Sequence, residues 1–167
     1  MIVHESERLK LKVFSLEDEE ASKSFWGDSE VMVHCAGATP HDMLGKVLLS
    51  YQACHERKGL SVYGVVEKES GHVIGAAGFN IANGLEKVEL IYHFSKSSWG
   101  KGYATEAAVS CIELAKQTKG VQTIFASADP ENKSSTKILE KAGFQFVGMK
   151  WFDDTNQEEP YFEYQVK

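Results

Sequence analysis

The stretch Ser98-Trp99-Gly100-Lys101-Gly102-Tyr103-Ala104-Thr105-Glu106-Ala107 has the make-up of an oxyanion cradle. Gly100 and Gly102 lack a Cβ, so the chain can turn sharply there and an anion can come within hydrogen-bonding distance of successive main-chain amides. A helix-like run opens near Tyr103, and its first turn adds N–H groups with no intrahelical partner together with the positive end of the helix dipole. The natural guest is a phosphate or pyrophosphate. Lys101 adds a mobile positive charge. The dinucleotide fingerprint G-x-G-x-x-G would need a glycine where Thr105 stands, and the P-loop would need Gly-Lys-Ser/Thr closing a longer loop, so neither describes this stretch. For an isolated Gly-x-Gly pair, a tight strand-to-helix turn is the competing reading.

The flanking elements fix where such a loop would sit. Residues 88–94 alternate like a strand, and Ala107, Ala108, Cys111, Ile112 and Ala115 recur at helical spacing behind the glycines. Their small side chains suit a helix lying close to a sheet. Upstream, Leu9, Leu11 and Val13 alternate with Arg8, Lys10 and Lys12 as a first strand over 7–14. Ser15 and its following acids open a helix carrying Ala21, Phe25 and Trp26, and Thr39-Pro40 opens a second that closes at Lys58-Gly59. Residues 61–67 and 73–80 form a hairpin about Glu69-Ser70-Gly71-His72, and Asn83-Gly84 leads into 87–94. Downstream come a strand over 123–128, a short helix capped by Ser134 or Ser135 and ending at Gly143, and two strands over 145–152 and 159–166. The order predicts one domain over 1–167 of mixed α/β class, with a central, mostly antiparallel sheet of about seven strands flanked by about four helices.

Composition narrows the class of function. A chain of 167 residues with 43% hydrophobic and 25% charged residues can bury a real core. Residues 1–5 read as neither a signal peptide nor a membrane segment, no apolar run is long enough to span a bilayer, and the expected compartment is the cytoplasm. Cys35, Cys54 and Cys111 are odd in number and widely spaced, which predicts free thiols, no metal site and no activated cysteine, since no partner lies at a recognisable spacing. The net charge of −6, without a Lys/Arg cluster, argues against nucleic acid and favours approach by a cationic amine.

The spacing Trp99-x-x-Gly102-x-Ala104 resembles the pyrophosphate loop of the GNAT family of acetyl-CoA-dependent N-acetyltransferases, which usually writes it Gln/Arg-x-x-Gly-x-Gly/Ala. Trp99 in place of Gln/Arg resembles the branch containing the ribosomal-protein N-terminal acetyltransferases. Four further segments resemble the family in the same order: Glu7-Arg8-Leu9-x-Leu11, Gly71-x-x-Ile74-Gly75-x-x-Gly78-Phe79, Glu89-Leu90-Ile91-Tyr92, and Pro130 to Ser135 followed by Glu140-Lys141-Ala142-Gly143-Phe144.

The resemblance implies the GNAT fold, acetyl-CoA as co-substrate, an amine acceptor and no metal, in a monomer or homodimer. It places Tyr92, His93 and Phe94 beside the pantetheine arm as an added strand would lie. Gly100, Lys101, Gly102, Tyr103, Ala104 and Thr105 surround the pyrophosphate, and Asn132 and Ser135 reach the arm. Asn132 is alternatively a turn or helix cap, and Ser135 a cap or solvated hydroxyl. Glu89 shares a strand face with Ile91 and His93 and is the candidate base that deprotonates the ammonium, or else a structural ion pair. Leu139 stands where many members carry a tyrosine acid, leaving Tyr92, Tyr103 or water for that role. Glu106 reads as a structural acid at a helix N-terminus. A CoA-binding regulatory domain without turnover is the alternative function.

Overall fold

A computed structural model describes residues 1–35 and 37–166. Eight strands form one sheet: β1 (Ile2–Glu5), β2 (Leu9–Lys12), β3 (Val62–Glu67), β4 (Val73–Asn80), β5 (Lys87–Phe94), β6 (Thr123–Ser127), β7 (Gln145–Phe152) and β8 (Gln157–Gln165). Their order across the sheet is β1-β2-β3-β4-β5-β6-β8-β7. Every neighbouring pair is antiparallel except β5 with β6. The mixed α/β class and mostly antiparallel sheet expected from the sequence are therefore present, with eight strands rather than about seven. The additional strand is β1, whose four residues are too few to show a period.

Four α-helices accompany the sheet: α1 (Glu19–Ser22), α2 (Leu44–Lys58), α3 (Tyr103–Lys116) and α4 (Lys133–Ala142). α1 is much shorter than its apolar residues suggest. Phe25 and Trp26 lie in turns beyond it, yet both are buried, so their recurrence reflects packing rather than helical continuation. Residues 41–43 form a 3₁₀ turn ahead of α2, which ends at Gly59 in a left-handed conformation. Neither serine caps α4. Asn132 does so, its side chain accepting the Ser135 N–H.

Each face of the sheet buries its own core. On one face α3 packs Tyr103, Ala107, Ala108, Cys111 and Ile112 against Leu9, Leu11, Val65, Phe79, Val88 and Leu90. On the other, Phe14, Phe25, Trp26, Leu44 and Leu48 gather over Val62 and Ala76. β5 serves both, because successive side chains point to opposite faces. Its Val88, Leu90 and Phe94 belong to the α3 side, whereas Ile91 packs on the Trp26 side.

Candidate functional site

The parallel pairing of β5 with β6 stops early. Lys87, Val88 and Glu89 pair with Thr123, Ile124 and Phe125, and beyond them the two strands part. β6 continues along β8 alone, through Ser127 opposite Tyr161, while β5 continues along β4 through Phe94 opposite Gly75. A cleft of about 810 Å³ opens in the gap, walled by β5 from Glu89 to Phe94, by Ala126 to Asp129, and by the starts of α3 and α4. That volume is within the range of small-molecule sites. Residues of an antiparallel strand alternate in the edge to which their main-chain groups point. Ser95 donates its N–H to Ile74 on β4, so the alternation directs the main-chain groups of Tyr92 and Phe94 toward the cleft. The Trp99 indole N–H donates to the Phe94 carbonyl at 2.9 Å and so ties the loop to the end of β5.

The glycine loop forms the cleft's outer end. Gly100 and Gly102 have φ values of 77° and 80°, in the left-handed region, and Gly102 is the N-cap of α3. Together they turn the chain so that the first turn of α3 opens on the cleft. A polar clamp behind the loop holds this geometry. Glu106 accepts from the Ser6 hydroxyl (2.6 Å), the Arg8 main-chain N–H (2.8 Å) and Arg8 Nε (2.7 Å), and Arg8 Nη1 donates to the Lys101 carbonyl (2.8 Å). Burial works against the Glu106 charge, but these donors outweigh it and hold the carboxyl below its usual range. Glu106 is thus structural, as its place in the first turn suggested, and its partners come from the β1–β2 connection.

The cleft's inner end carries the titratable groups. Glu89 lies directly opposite Asn80 on β4, whose Nδ2 is 3.5 Å from Glu89 Oε1, and Tyr51 of α2 donates to Asn80 Oδ1 at 3.3 Å. Burial pushes the Glu89 carboxyl above its usual range; the Asn80 contact opposes this, while Asp154 and Glu159 reinforce it. Tyr92 reaches Ser135 across the cleft wall, hydroxyl to hydroxyl at 2.7 Å, and burial pushes the phenol up to about 12. Tyr103 turns away. Its hydroxyl donates to Glu67 at 2.7 Å beneath the Arg8 guanidinium, which leaves Tyr92 as the tyrosine whose hydroxyl faces the cleft wall. Asn132 and Ser135 sit together at the start of α4, with Asn132 Oδ1 occupied by the cap and its amide nitrogen outside that bond.

His93 is enclosed between two partners. Trp26 Nε1–H donates to its Nδ1 at 3.3 Å, and its Nε2 lies 3.3 Å from Cys35 Sγ. With Nδ1 accepting, the neutral ring carries its proton on Nε2. Burial lowers the imidazole to about 4 and raises the Cys35 thiol, an effect reinforced by Glu159, Asp154, Asp129 and Glu89. The sequence spacing had suggested no partner for any cysteine; the fold brings together residues 58 positions apart, as a neutral thiol beside a neutral imidazole. In the unfolded chain His93 takes up a proton near pH 6.5, whereas in the fold it resists protonation until about 4. Its contribution to stability is therefore complete above about pH 6.5 and is lost as pH falls toward 4, by on the order of 3 kcal/mol. Urea unfolding at about pH 7 and about pH 5 should show a larger loss for the wild type than for His93→Gln; equal losses would contradict the burial argument.

Several groups around the cleft carry no motif. Glu159 is 5% exposed and accepts from the Thr155 hydroxyl (2.7 Å) and Gln157 Nε2 (3.0 Å). Asp129, Asp154 and Glu30 join it on the cleft lining, as do Lys137 and Lys141 of α4, and Asp154 and Glu159 lie near enough to act on Glu89, so the end of the cleft beside Glu89 is acidic. The available signal was Glu159 alternating with Tyr161 on a strand, which marks a face but not what lies over it. Among the described residues, no group of three or more His, Cys, Asp or Glu side chains could hold a metal ion, and no helix is long and apolar enough to cross a membrane.

A mixed sheet parted between two parallel strands, with a glycine loop and a helix N-terminus opening onto the gap, makes a cleft suited to an extended ligand that carries a phosphate. Residues 8–145 match the family model described as the acetyltransferase (GNAT) domain, and the chain belongs to that family, whose members are acetyl-CoA-dependent N-acetyltransferases. It is 31% identical to the N-acetyltransferase p20 of Bacillus licheniformis over 86% of this chain and 83% of that one. Against the [ribosomal protein uS5]-alanine N-acetyltransferase of Escherichia coli it is 25% identical, covering 88% and 74% of the two chains, in keeping with the branch suggested by Trp99. A GNAT-family acetyltransferase from Bacillus anthracis superposes with a TM-score of 0.86 over 99% of both chains at 24% identity.

Proposed function

We propose that the chain transfers the acetyl group of acetyl-CoA to a primary amine, on a protein N-terminus or a small molecule, by direct attack in a ternary complex. The single observation that carries this reading is the parting of β5 from β6 beyond Glu89, which leaves free main-chain edge and a raised carboxyl in the same gap. The co-substrate's pyrophosphate takes the amides of 100–105, with Lys101 beside it, and its arm runs along Tyr92, His93 and Phe94 toward Asn132 and Ser135. The left-handed glycines and the open cleft leave room for that group.

Glu89 takes the proton from the incoming ammonium, and its raised pKa brings it closer to the working pH of a general base. The Phe94 N–H, turned to the cleft by the alternation along β5, donates to the oxyanion in this reading. The Tyr92–Ser135 hydroxyl pair, kept protonated by burial, supplies the proton for the departing thiolate. Direct transfer fits the paired but neutral Cys35 better than a covalent acetyl-enzyme, since the thiol rather than the thiolate is favoured. The acids at the Glu89 end of the cleft, Asp129, Asp154 and Glu159, favour acceptors carrying positive charge.

The experiment is a panel of amines and peptide N-termini with acetyl-CoA, read as released thiol. Cationic amines should turn over with the highest kcat/KM, and the advantage should shrink as salt is added. A panel in which anionic amines are preferred would contradict the electrostatic part of the reading, and the absence of release with every amine would contradict the whole.

A further inference from the structure

We propose that the acceptor is a peptide N-terminus with an acidic side chain at its third or fourth residue, seated in a basic pocket beside α2. The inference rests on acetyl transfer at Glu89 and adds to it the class of amine. A second cavity, of about 610 Å³, opens between α2, the end of β4 and the start of β5. Glu89 and Asn80 line this cavity as well as the cleft, so one carboxyl stands between the two spaces. The chain carries a net charge of −6, yet the charged groups on this lining are Lys46, Arg57, Lys58 and Lys87 against a single acid, Glu89 itself.

Two of these cations already have partners. Lys87 Nζ lies 3.2 Å from a Glu163 carboxylate oxygen, and Lys58 donates to the Asn83 carbonyl at 2.9 Å. Lys46 and Arg57 are exposed on α2 and enter no ion pair among the described residues. Their spacing from Glu89 sets the length of the guest. Tyr51 donates to Asn80, whose amide meets Glu89, so Tyr51 marks the level of the base along α2. Lys46 precedes it and Arg57 and Lys58 follow it by roughly one and a half to two turns, about 7–10 Å along the helix axis. Lys87 shares the strand face of Glu89 two residues back, about 7 Å away. An extended peptide advances about 3.3–3.6 Å per residue, so with its ammonium at Glu89 its third and fourth residues reach these cations. Val47, Tyr51, Ile81 and Phe125 line the stretch between with apolar surface. Charge therefore runs from acidic around Glu89, Asp154 and Glu159 to basic along α2, the complement of an ammonium followed by a carboxylate. Net positive charge draws an acceptor in, and the order of charge along it seats it.

The test compares two peptides of identical composition and net positive charge, one with glutamates at its third and fourth residues and lysines at its far end, the other with these exchanged. With acetyl-CoA and the full chain, KM for the first should be about 3–10-fold lower, the effect of one or two exposed ion pairs. Lys46→Glu/Arg57→Glu should reverse the order of the two peptides. Calorimetry with CoA in place of acetyl-CoA, which binds without turnover, should show the same ranking of affinities and the same reversal. Equal KM and equal affinity for the two peptides would overturn the proposal while leaving acetyl transfer at Glu89 in place. A preference that survives the charge reversal would also overturn it, since it would then arise in the peptides rather than in the pocket. If neither peptide releases thiol, the reading of Glu89 fails, and the calorimetric ranking alone decides whether the basic pocket holds the acid.

Discussion

Glu89→Gln should lower kcat by about 10²–10⁴-fold and leave CoA affinity unchanged, the range expected when a positioned general base is removed without disturbing the rest of a site. Glutamine keeps the shape and can still meet Asn80, so the loss isolates proton transfer. In the wild type, kcat/KM should rise with pH through an apparent pKa above the ordinary glutamate range, because burial favours the protonated carboxyl and only the deprotonated form accepts the ammonium proton. Asn80→Leu removes a donor that favours the charged form, and should move that limb to higher pH. A Glu89→Gln enzyme retaining near-normal turnover would assign Glu89 to structure and leave water or another cleft carboxylate as the base.

Gly102→Val should weaken CoA binding by about 10–100-fold, the equivalent of one or two lost charge-assisted hydrogen bonds. At φ 80° a β-branched residue is strained, so the chain must either hold the turn at a cost of about 1–3 kcal/mol or relax it and swing the α3 amides off the cleft. The added Cβ would stand 3.5 Å from the Arg8 guanidinium, an ordinary contact, so backbone conformation is what changes. Gly59→Val is the matched control. Gly59 has φ 78° at the end of α2, and a Cβ there meets no atom within 4 Å, so it carries similar strain away from the cleft. Calorimetry with CoA should show affinity lost in the Gly102 variant alone, while thermal unfolding shows both destabilised. Equal affinity in the two variants would remove the pyrophosphate from this loop.

The parts of the site legible in the sequence are those held by neighbours along the chain. The glycine loop, α3 and the alternation that sets Glu89, Ile91 and His93 on one face follow from short spacings, and the structure shows them there. What the sequence concealed depends on distant pairings. Asn80 meets Glu89 because β4 and β5 are in register, Cys35 meets His93 because a turn-rich segment folds over the sheet, and Glu106 meets Ser6 and Arg8 across about a hundred positions. β1 escaped notice because four residues carry too little pattern, and α1 was read too long because Phe25 and Trp26 are buried from turns. The cap of α4 fell to Asn132 rather than a serine, placing one residue both at a helix cap and on the cleft lining.

The most direct measurement of the central claim is a crystal structure of the chain with acetyl-CoA. The diphosphate should lie against the main-chain amides of 100–105, the pantetheine arm alongside Tyr92 and Phe94 where β5 leaves β6, and the acetyl carbonyl within reach of an amine beside Glu89. Density for the same molecule on another surface, or a cleft filled only by solvent at saturating concentration, would contradict it.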